Sequence, residues 1–420
     1  MSEVKIDRNT ANEEAFERLC TSEPVLKAIA PAIDVLPGMT SNMILTSGPP
    51  MTWGDYTGGQ REAIIGGALF EGLAKDREEA EHKLTAGDIV VDGCHSYASV
   101  GSLAGIYTAS MPVFVVENTT FGNVGYCNMY EGTNPRRLNY GVYDRGVHER
   151  LMFIQDVVAP IVNEAIQRSG DIPLKPIIAR ALHMGDELHS RSTAASLLFS
   201  RELFPSFLEI AVEQCEPIKQ TLQALTEDHY FFLRLSMASA KTIADAAHHI
   251  VGSSIVTAMA FNCRNFAIRV SGLGDQWFNG PHANVQAKLF KGHSENEITW
   301  MGGESTITET IGLGGFAQAA AFALQQYQGG SPEAMMKRNL EMYDITVGEH
   351  PDFHIPSLGY RGTPTGIDIF RVLESGILPV MDIGIAGRDG GQIGAGIVRA
   401  PIECFELAAQ AYQSQYGNCS

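Results

Sequence analysis

The chain has 420 residues, of which 45% are hydrophobic and 19% are charged, and its formal net charge is −18. This composition is typical of a globular protein with two or three cores, and the negative charge argues against nucleic acid or an anionic membrane surface as partner. The 7 cysteines form no Cys-x-x-Cys pair, which argues against a disulfide framework or a structural zinc site. Residues 1–8 lack the apolar run of a signal peptide and no stretch suits a membrane span, so we expect a cytoplasmic protein.

The first forty residues show helical periodicity and predict one or two amphipathic helices. Their apolar positions are Ala15, Phe16, Leu19, Val25, Leu26 and Ile29. Short apolar runs then predict strands at 42–46, 88–92 and 112–116, with a helical stretch at 61–83 that indicates an α/β unit. Ligands of such units tend to lie beyond the strand ends, which makes His95, Glu117 and Asn118 candidate binding residues.

Long periodic segments without a clear strand predict a helical domain over 148–252, interrupted near 170–176 and at Pro205 and Pro217. After it, the pattern predicts a hairpin of strands 254–259 and 265–274. Arg264 falls in its turn and Arg269 in its second strand. A strand arginine among apolar neighbours must face solvent or meet an anion or a carboxylate, and the sequence leaves these alternatives open.

Further elements are predicted as a strand at 284–290, helices at 316–327 and 333–343, a strand at 379–383 and a closing helix at 401–416. We therefore predict a multidomain α+β fold. Its parts are N-terminal helices plus an α/β domain over 1–147, the helical domain over 148–252, and a C-terminal mixed α/β domain over 253–420 with glycine-rich loops.

The segment 184–191 concentrates charged side chains inside the predicted helical domain. Glu187 and Arg191 are four residues apart, and Asp186 and His189 are three apart, so each pair shares a face of a helix. This spacing is typical of surface salt bridges and also suits a polar site. His183 and Glu187 have i, i+4 spacing, but no third ligand stands out and the His-Glu-x-x-His pattern is absent. We expect neither a metal nor a cofactor.

Glycines 312, 314 and 315 run into an alanine-rich segment that we predict to be helical. Glycine lets the backbone approach a ligand closely, and the free N–H groups of a first helical turn attract anions. The turn is therefore a candidate anion site, although glycines of this kind also simply close tight turns.

A second glycine-rich stretch, 390–401, contains Gly394, Gly396 and Arg399. We interpret it as a loop of the same kind with an arginine inside it. Two such turns favour two anionic groups, and an acidic protein needs local positive charge to bind them.

Several ordered blocks carry a resemblance that spans nearly the whole chain. They are Gly48-Pro-Pro-Met-Thr-Trp, Ala109-Ser-Met-Pro, Val116-Glu-Asn-Thr-Thr-Phe-Gly-Asn, Tyr126-Cys-Asn, Met184-Gly-Asp-Glu-Leu-His-Ser-Arg, Ser254-Ile-Val-Thr-Ala-Met, Ile268-Arg-Val-Ser-Gly-Leu-Gly, Ile307-Thr-Glu-Thr-Ile-Gly-Leu-Gly-Gly and Gln392-Ile-Gly-Ala-Gly-Ile-Val-Arg-Ala-Pro. In these blocks the sequence resembles the AllG/YlbE-like family, which is associated with oxamate carbamoyltransferase. The resemblance implies a subunit of a heteromeric enzyme, with an FdrA-like subunit and a third small subunit as partners.

The implied reaction converts oxalurate and phosphate into oxamate and carbamoyl phosphate during anaerobic use of allantoin nitrogen. Its substrates are small anions, which suits glycine turns and arginines. On this basis we assign Arg399 and the amides of 312–315 to phosphate, and Arg269 or Arg264 to the carboxylate. We assign His95 or His189 to the carbamoyl oxygen or to proton transfer.

Three other functions fit the sequence. No nucleophile–base pair, metal motif or phosphate loop is visible, which favours a noncatalytic scaffold or metabolite-binding subunit. The chain also fits a paralogue that acts on another ureido acid. A metal-dependent amidohydrolase would use His183, Glu187 and His189.

Overall fold

The computed structural model describes residues 7–227 and 230–417 and shows an α+β protein with several separate sheets, which confirms the predicted class. The α-helices of these residues are α1 (Arg8–Thr21), α2 (Ala32–Val35), α3 (Gly58–Phe70), α4 (Arg77–Ala86), α5 (Arg145–Phe153), α6 (Ala159–Ser169), α7 (Lys175–His183), α8 (Thr193–Ala211), α9 (Cys215–Glu227), α10 (Phe231–Ala246), α11 (Leu324–Gln328), α12 (Pro332–Met342), α13 (Ile369–Ser375) and α14 (Ile402–Tyr416). The strands are β1 (Pro24–Pro31), β2 (Met43–Thr46), β3 (Val90–Gly93), β4 (Ser99–Val100), β5 (Pro112–Asn118), β6 (Val124–Asn128), β7 (Ile172–Pro173), β8 (Val256–Phe261), β9 (Phe266–Val270), β10 (Phe278–Gly280), β11 (Val285–Leu289), β12 (Ile298–Thr299), β13 (Thr346–Ile355), β14 (Arg361–Ile367), β15 (Val380–Gly387) and β16 (Gln392–Arg399).

The largest sheet has the strand order β4-β6-β5-β1-β7. The prediction that the first forty residues are helical is right for α1 but wrong for Val25, Leu26 and Ile29, which lie on β1. β1 pairs antiparallel with β5, with Ile29 opposite Phe114. An apolar run after a proline fits a buried strand as well as a helix, and pairing with β5 decides between them.

The predicted α/β unit is present, because β2 and β3 pair in parallel and α3 and α4 lie between them in the chain. The helical stretch predicted at 61–83 is two helices, since residues 71–76 form the connection between α3 and α4. Asp76 caps α4 by accepting a hydrogen bond from the Glu79 amide, and this cap starts a new helix where periodicity alone predicts one continuous helix.

The central segment is largely helical, as predicted, and α6 ends at Ser169 ahead of the expected break. Pro205 lies inside α8 without ending it, and the next break falls at 212–214, ahead of Pro217. The helix α10 is buried along nearly its whole length. It carries two buried cationic side chains, Arg234 and Lys241.

The predicted hairpin is formed by β8 and β9, with Phe261 opposite Phe266 across the turn. Two predictions for this part are wrong. Residues 316–327 contain 3₁₀ turns and the short α11 rather than one long helix, and the second glycine-rich stretch is the strand β16, not a loop. β16 pairs antiparallel with both β15 and β11, so its glycines serve close strand packing.

The largest hydrophobic core joins α1, β1, β5 and β6 to the helices α6 to α10 and to residues near 307–317. All three predicted segments therefore contribute to one core, and the boundaries at 147/148 and 252/253 stay predictions. None of the described helices has the length and apolar composition needed to cross a membrane. The described cysteines are unpaired, and of these Cys215 is exposed, whereas Cys419 lies outside the described residues.

Candidate active site

A cavity lies where the three predicted segments meet. Its lining combines residues of the loop after β6, of the loop between α7 and α8, of the approach to α10, and of β15 and β16. The lining includes Arg137, Tyr140, His189, Ser190, Ser305, Tyr327 and Gln392. Junctions between segments are common places for small-molecule sites.

Arg137 is 3% exposed and lies in the wall of this cavity. Its Nη1 donates to Tyr130 Oη and to the Gly132 carbonyl at 2.9 Å, and its Nη2 donates to Gln392 Oε1 at 3.4 Å. The guanidinium carbon lies 4.7 Å from the centroid of the Tyr140 ring. Its Nε is buried and has no hydrogen-bond partner in the part of the chain that the structure describes. Neutral oxygens and rings therefore hold this cation without using all five donors.

Arg234 on α10 is a second fully buried guanidinium near the same tyrosine. Its carbon lies 5.6 Å from the Tyr130 ring centroid, and its Nη1 donates to Asn128 Oδ1 at 3.1 Å. Within residues 7–227 and 230–417, its Nε and Nη2 have no hydrogen-bond partner. Burying a charge is costly unless a counter-charge and hydrogen bonds compensate, so these free donors indicate a place for an anion.

Glu131 is the buried carboxylate closest in sequence to this pair of cations. Its oxygens accept hydrogen bonds from the Leu138 amide at 2.6 Å and the Asn139 amide at 3.0 Å. Burial raises the pKa of Glu131, although the charge of Arg137 opposes the rise. The two amides engage this carboxylate, and the unpaired guanidinium donors remain available.

A histidine–carboxylate pair lies in another part of the cavity wall. His189 Nδ1 is 2.8 Å from Glu309 Oε1, and both side chains are buried. The same oxygen accepts hydrogen bonds from the amides of Gly315 and Asp382, each at 3.0 Å, and Thr308 Oγ1 donates to Oε2 at 2.8 Å. Because the carboxylate holds Nδ1, Nε2 is the ring nitrogen left for a substrate.

The pKa of His189 is raised above its ordinary value. Burial by itself lowers this pKa, but the charge of Glu309, the hydrogen bond to it and the charge of Asp382 outweigh burial. Burial and the charge of Glu309 raise the pKa of Asp382 to about 6. Burial and the charge of Asp382 raise the pKa of Glu187 well above its usual range. The cluster therefore holds protons close to His189, as acid–base chemistry requires.

The first glycine turn surrounds this histidine–carboxylate pair. The Gly314 amide donates to the Glu187 carbonyl at 2.7 Å, the Gly315 amide donates to Glu309 Oε1, and the Gly312 amide donates to the Glu309 carbonyl at 3.2 Å. The turn thus holds an anion, as its glycines suggested, but the anion is the protein's own carboxylate.

The segment 184–191 is an irregular loop rather than the predicted helix. Glu187 accepts hydrogen bonds from the amides of His189 and Arg191, both at 2.5 Å, which fixes the loop that carries His189. Arg191 Nε donates to the Gly185 carbonyl at 3.0 Å. Glu187 is therefore tied to backbone amides instead of forming a surface ion pair with the Arg191 guanidinium.

His95 and Arg269 meet in a second buried cluster. His95 Nδ1 is 3.2 Å from Lys241 Nζ, and the rings of His95 and Trp277 are 5.2 Å apart. The Arg269 guanidinium carbon lies 4.5 Å from the Trp277 ring centroid, and its Nη1 lies 3.7 Å from Asp275 Oδ1. Burial, then the charge of Lys241, lowers the pKa of His95 well below its ordinary value, which keeps this histidine neutral.

Three other predicted residues lie apart from both clusters. Arg264 Nε donates to the Asp55 carbonyl at 2.7 Å in the β8–β9 turn. Glu117 forms a surface ion pair with Lys27 at 3.5 Å. Asn118 is buried, and its Oδ1 accepts hydrogen bonds from the amides of Glu23 and Thr120, each at 3.1 Å. These contacts stabilise turns.

The residues predicted on the second glycine stretch have structural neighbours. A Cβ at Gly394 would lie 2.7 Å from the Lys288 carbonyl oxygen, and one at Gly396 would lie 2.1 Å from the Gln286 carbonyl oxygen. Arg399 donates from Nη1 to the Leu378 carbonyl at 2.8 Å and from Nη2 to Glu341 Oε2 at 2.6 Å. Of the predicted site residues, the structure brings His189, Glu187, Gly312, Gly314 and Gly315 together in one place, and His95 and Arg269 in another.

Sequence reasoning missed Arg137, Arg234, Glu309 and Asp382. Two of them left a visible signal, since Arg234 interrupts the apolar run of 231–235 and Glu309 lies three residues before Gly312. A charged residue within an apolar helix needs a buried partner, which is a reason to select it. Asp382 depends on its contact with the distant Glu309, and Arg137 depends on the fold of its own irregular loop and on the distant Gln392.

The chain is similar to known proteins in sequence and in fold. The family model described as oxamate carbamoyltransferase subunit AllG matches residues 89–305. The chain is 42% identical over 409 residues to the Escherichia coli (strain K12) protein YahG, described as uncharacterized, with 97% of this chain and 86% of YahG covered. It is 38% identical over 412 residues to the Escherichia coli (strain K12) oxamate carbamoyltransferase subunit AllG, with 97% and 98% covered.

A crystal structure of a conserved protein of unknown function from Enterococcus faecalis V583 has a TM-score of 0.94 to this chain at 38% identity. The alignment covers 97% of this chain and 98% of that one. The fold is thus that of an α+β protein related to carbamoyltransferase subunits. The chain belongs to the AllG family.

Proposed function

We propose that this chain carries the active site of a heteromeric carbamoyltransferase that interconverts oxalurate plus phosphate with oxamate plus carbamoyl phosphate. The supporting observation is that one cavity combines the guanidinium of Arg137 with the His189–Glu309 pair. The similarity to the Escherichia coli oxamate carbamoyltransferase subunit AllG supports the choice of reaction. We also propose that the reaction takes place in the cytoplasm and serves anaerobic use of allantoin nitrogen.

In this proposal, Arg137 binds the phosphate group, and the nearby Arg234 adds positive charge. A guanidinium offers a planar pair of donors that matches a phosphate, and a water-poor site strengthens the attraction. The hydroxyls of Ser190 and Ser305 also line the cavity and are available to the carboxylate and amide of the organic substrate. The Gly315 amide then acts indirectly, by holding the Glu309 carboxylate against His189.

The step transfers one carbamoyl group. A phosphate oxygen attacks the ureido carbonyl carbon of oxalurate, a C–O bond forms, and the C–N bond to the oxamate nitrogen breaks. Protonated His189 donates its proton from Nε2 to that nitrogen, so the products are carbamoyl phosphate and oxamate. In the reverse direction neutral His189 accepts the proton as the oxamate nitrogen attacks. Glu309 fixes the ring and stabilises its protonated form.

The test is phosphorolysis of oxalurate by the assembled complex, followed through carbamoyl phosphate. Arg137→Met should remove more than 99% of the turnover while the complex stays assembled, since removing a donor to a charged group at a reacting centre typically costs on the order of 10²- to 10³-fold. Arg136→Met is the matched control, because Arg136 forms an exposed ion pair with Asp144. Full activity of Arg137→Met would exclude this cavity as the carbamoyl site. A panel of ureido acids in the same assay separates oxalurate from other acceptors.

We propose an FdrA-like subunit and a third small subunit as partners. An assembly is supported because the Escherichia coli relative AllG and the matching family model are both described as an oxamate carbamoyltransferase subunit. One exposed surface of this chain is suited to contact with one of these partner subunits. Leu197, Phe204 and Leu208 are exposed on one face of α8, and an exposed apolar stripe at helical spacing is typical of a protein–protein contact.

A further inference from the structure

A cluster of metal-binding side chains lies on the surface just after α10, outside the cavity described above. Its members are His248, His249 and Asp275, and one possible ligand atom from each lies within 4.8 Å of the others. His248 and His249 follow each other in the chain, and Asp275 lies in the turn that precedes β10. We propose that these three side chains bind a divalent transition-metal ion of the zinc class.

The distances favour an ion between the side chains over direct hydrogen bonds. His248 Nε2 is 3.5 Å from Asp275 Oδ1, and His249 Nε2 is 3.7 Å from the same oxygen. Direct hydrogen bonds between such atoms are shorter, usually near 2.9 Å. Ligands of tetrahedral zinc at about 2.0–2.2 Å from the metal lie roughly 3.3 Å from one another. Small side-chain movements therefore suffice to bring the three atoms to coordination distance.

His248 is prepared for this role in two ways. Its side chain is only 7% exposed, and its Nε2 is buried without a hydrogen-bond partner among the described residues. Its other ring nitrogen, Nδ1, lies 2.7 Å from Thr257 Oγ1. When Nδ1–H donates to that hydroxyl, Nε2 keeps its lone pair for a metal. A hydrogen bond of this type commonly orients histidine ligands in metal sites.

The other two ligands provide access from solvent. The His249 side chain is 60% exposed and the Asp275 side chain is 71% exposed. An ion can thus bind these two side chains from solvent and reach the buried Nε2 of His248 through small side-chain movements. Two imidazoles and one carboxylate are a ligand set that zinc accepts, with a fourth position left for water or an anion.

Neighbouring charges set the ligand that completes the site. Arg269 Nη1 lies 3.7 Å from Asp275 Oδ1, and Lys241 Nζ lies 2.7 Å from Asp245 Oδ1. The cations of these pairs disfavour an extra positive ion, whereas an anionic fourth ligand on the metal offsets that effect. The site is therefore expected to bind zinc together with hydroxide or a carboxylate.

The sequence predicted no metal because it offered only His183, Glu187 and His189. Within residues 7–227 and 230–417 these three do not form a metal-binding group. Glu187 is instead bound to backbone amides and His189 to Glu309. The sequence did not indicate the proposed ligands, because His248 and His249 are adjacent and Asp275 lies 26 positions after His249, beyond the β8–β9 hairpin.

The experiment is a titration of chelator-treated full-length protein with Zn²⁺ against a chromophoric chelator. We expect one tight equivalent for the parent protein. His249→Ala and Asp275→Asn remove exposed side chains, and each should weaken zinc binding at least tenfold. His293→Ala is the matched control, because His293 forms an exposed pair with Glu297 at 2.9 Å. The control should bind zinc like the parent.

Two further measurements distinguish the loss of a metal ligand from misfolding of the variant. Zinc should raise the Tm of the parent protein and of His293→Ala, because a ligand of the folded state stabilises it, and should leave the Tm of His249→Ala unchanged. Thr257→Val should weaken zinc binding roughly tenfold through the orientation of His248. Equal zinc affinity in the parent protein, His249→Ala and Asp275→Asn would overturn the proposal, as would the absence of a bound equivalent in the parent.

Discussion

Gly314 packs directly against Glu309, since a Cβ at this glycine would lie 2.3 Å from Glu309 Oε1 and 3.0 Å from His189 Cβ. The backbone of Gly314 also has a positive φ of 57°. No other residue fits this position without moving the carboxylate away from the histidine. The glycine turn therefore shapes the His189–Glu309 pair, to which we assign proton transfer in the proposed function.

Gly314→Val is expected to remove most activity in the assembled complex. Displacing Glu309 by about 1 Å misplaces His189, and misplacement of this size can cost on the order of 10²-fold in rate. Overpacking should also cost roughly 1–3 kcal/mol of stability. Turnover and chemical denaturation measure the two effects. Gly122→Val is the control, because Gly122 has a φ of 78° and no heavy atom near its added Cβ. Parent-like activity in folded Gly314→Val would contradict this role.

Arg137→Lys and Arg399→Lys should behave differently. Both keep the positive charge, but an ammonium cannot present the paired donors of a guanidinium. Arg137→Lys is expected to lose on the order of 10²- to 10³-fold in turnover and to raise the phosphate KM. Arg399 binds Glu341 and the Leu378 carbonyl, so Arg399→Lys should stay within a few-fold of the parent. The two variants are compared in assays at limiting and at saturating phosphate, with Tm as the control for folding. The reverse ranking would return the phosphate site to Arg399.

Oxalurate cleavage should lose activity as pH rises through the pKa of His189. The reaction in this direction needs the protonated ring, and Glu309 raises the pKa of that ring above its ordinary value. In Glu309→Gln the charge is removed, so the alkaline limb of the pH profile of kcat/KM should move to lower pH. Glu297→Gln, which alters the exposed partner of His293, is the control and should keep the parent profile. An unmoved limb in Glu309→Gln would show that His189 is not the proton donor.

The same pair predicts how stability depends on pH. Since folding raises the pKa of His189, its contribution to stability is complete below the ordinary pKa of 6.5 and disappears as pH rises through the folded-state value. The difference in free energy of unfolding between the parent and His189→Gln should therefore shrink above that range. Urea denaturation at several pH values measures it, and a difference independent of pH would mean that His189 does not titrate with folding.

Leu208→Glu is expected to weaken assembly with the partner subunits while leaving the isolated chain folded. A charge at the centre of an apolar contact must lose its water without gaining a partner. Leu407 is exposed on α14, so Leu407→Glu introduces the same charge on another surface and is the control. Co-purification and size-exclusion chromatography measure assembly. Equal assembly of the two variants would exclude this face of α8.

Local pattern was sufficient for much of the fold. The β8–β9 hairpin, α12, α14 and the β2–β3 unit follow from periodicity and turn residues. β1 and β16 do not, because their partners β5 and β11 lie far away in the chain, although β16 also pairs with the neighbouring strand β15. A short apolar or glycine-rich run takes its conformation from such partners.

The same limit applies to the candidate site. His189 and Gly314 were recognisable because they belong to dense polar or glycine-rich segments. Glu309 became recognisable as the partner of His189 only when a contact across 120 positions was known. Arg137 lacks a local signal altogether, since its burial depends on Tyr130, Tyr140 and Gln392.

The buried helix α10 has a further consequence, because it is a spacer of fixed length between two clusters. Arg234 lies near the cavity and Lys241 contacts His95, seven residues later along the helix. Seven residues make about two turns, or roughly 10 Å, and return the side chains to nearly the same face. Inserting one residue between them would rotate one cation by about 100° relative to the other. The length of α10 between Arg234 and Lys241 therefore fixes how the two clusters are placed relative to each other.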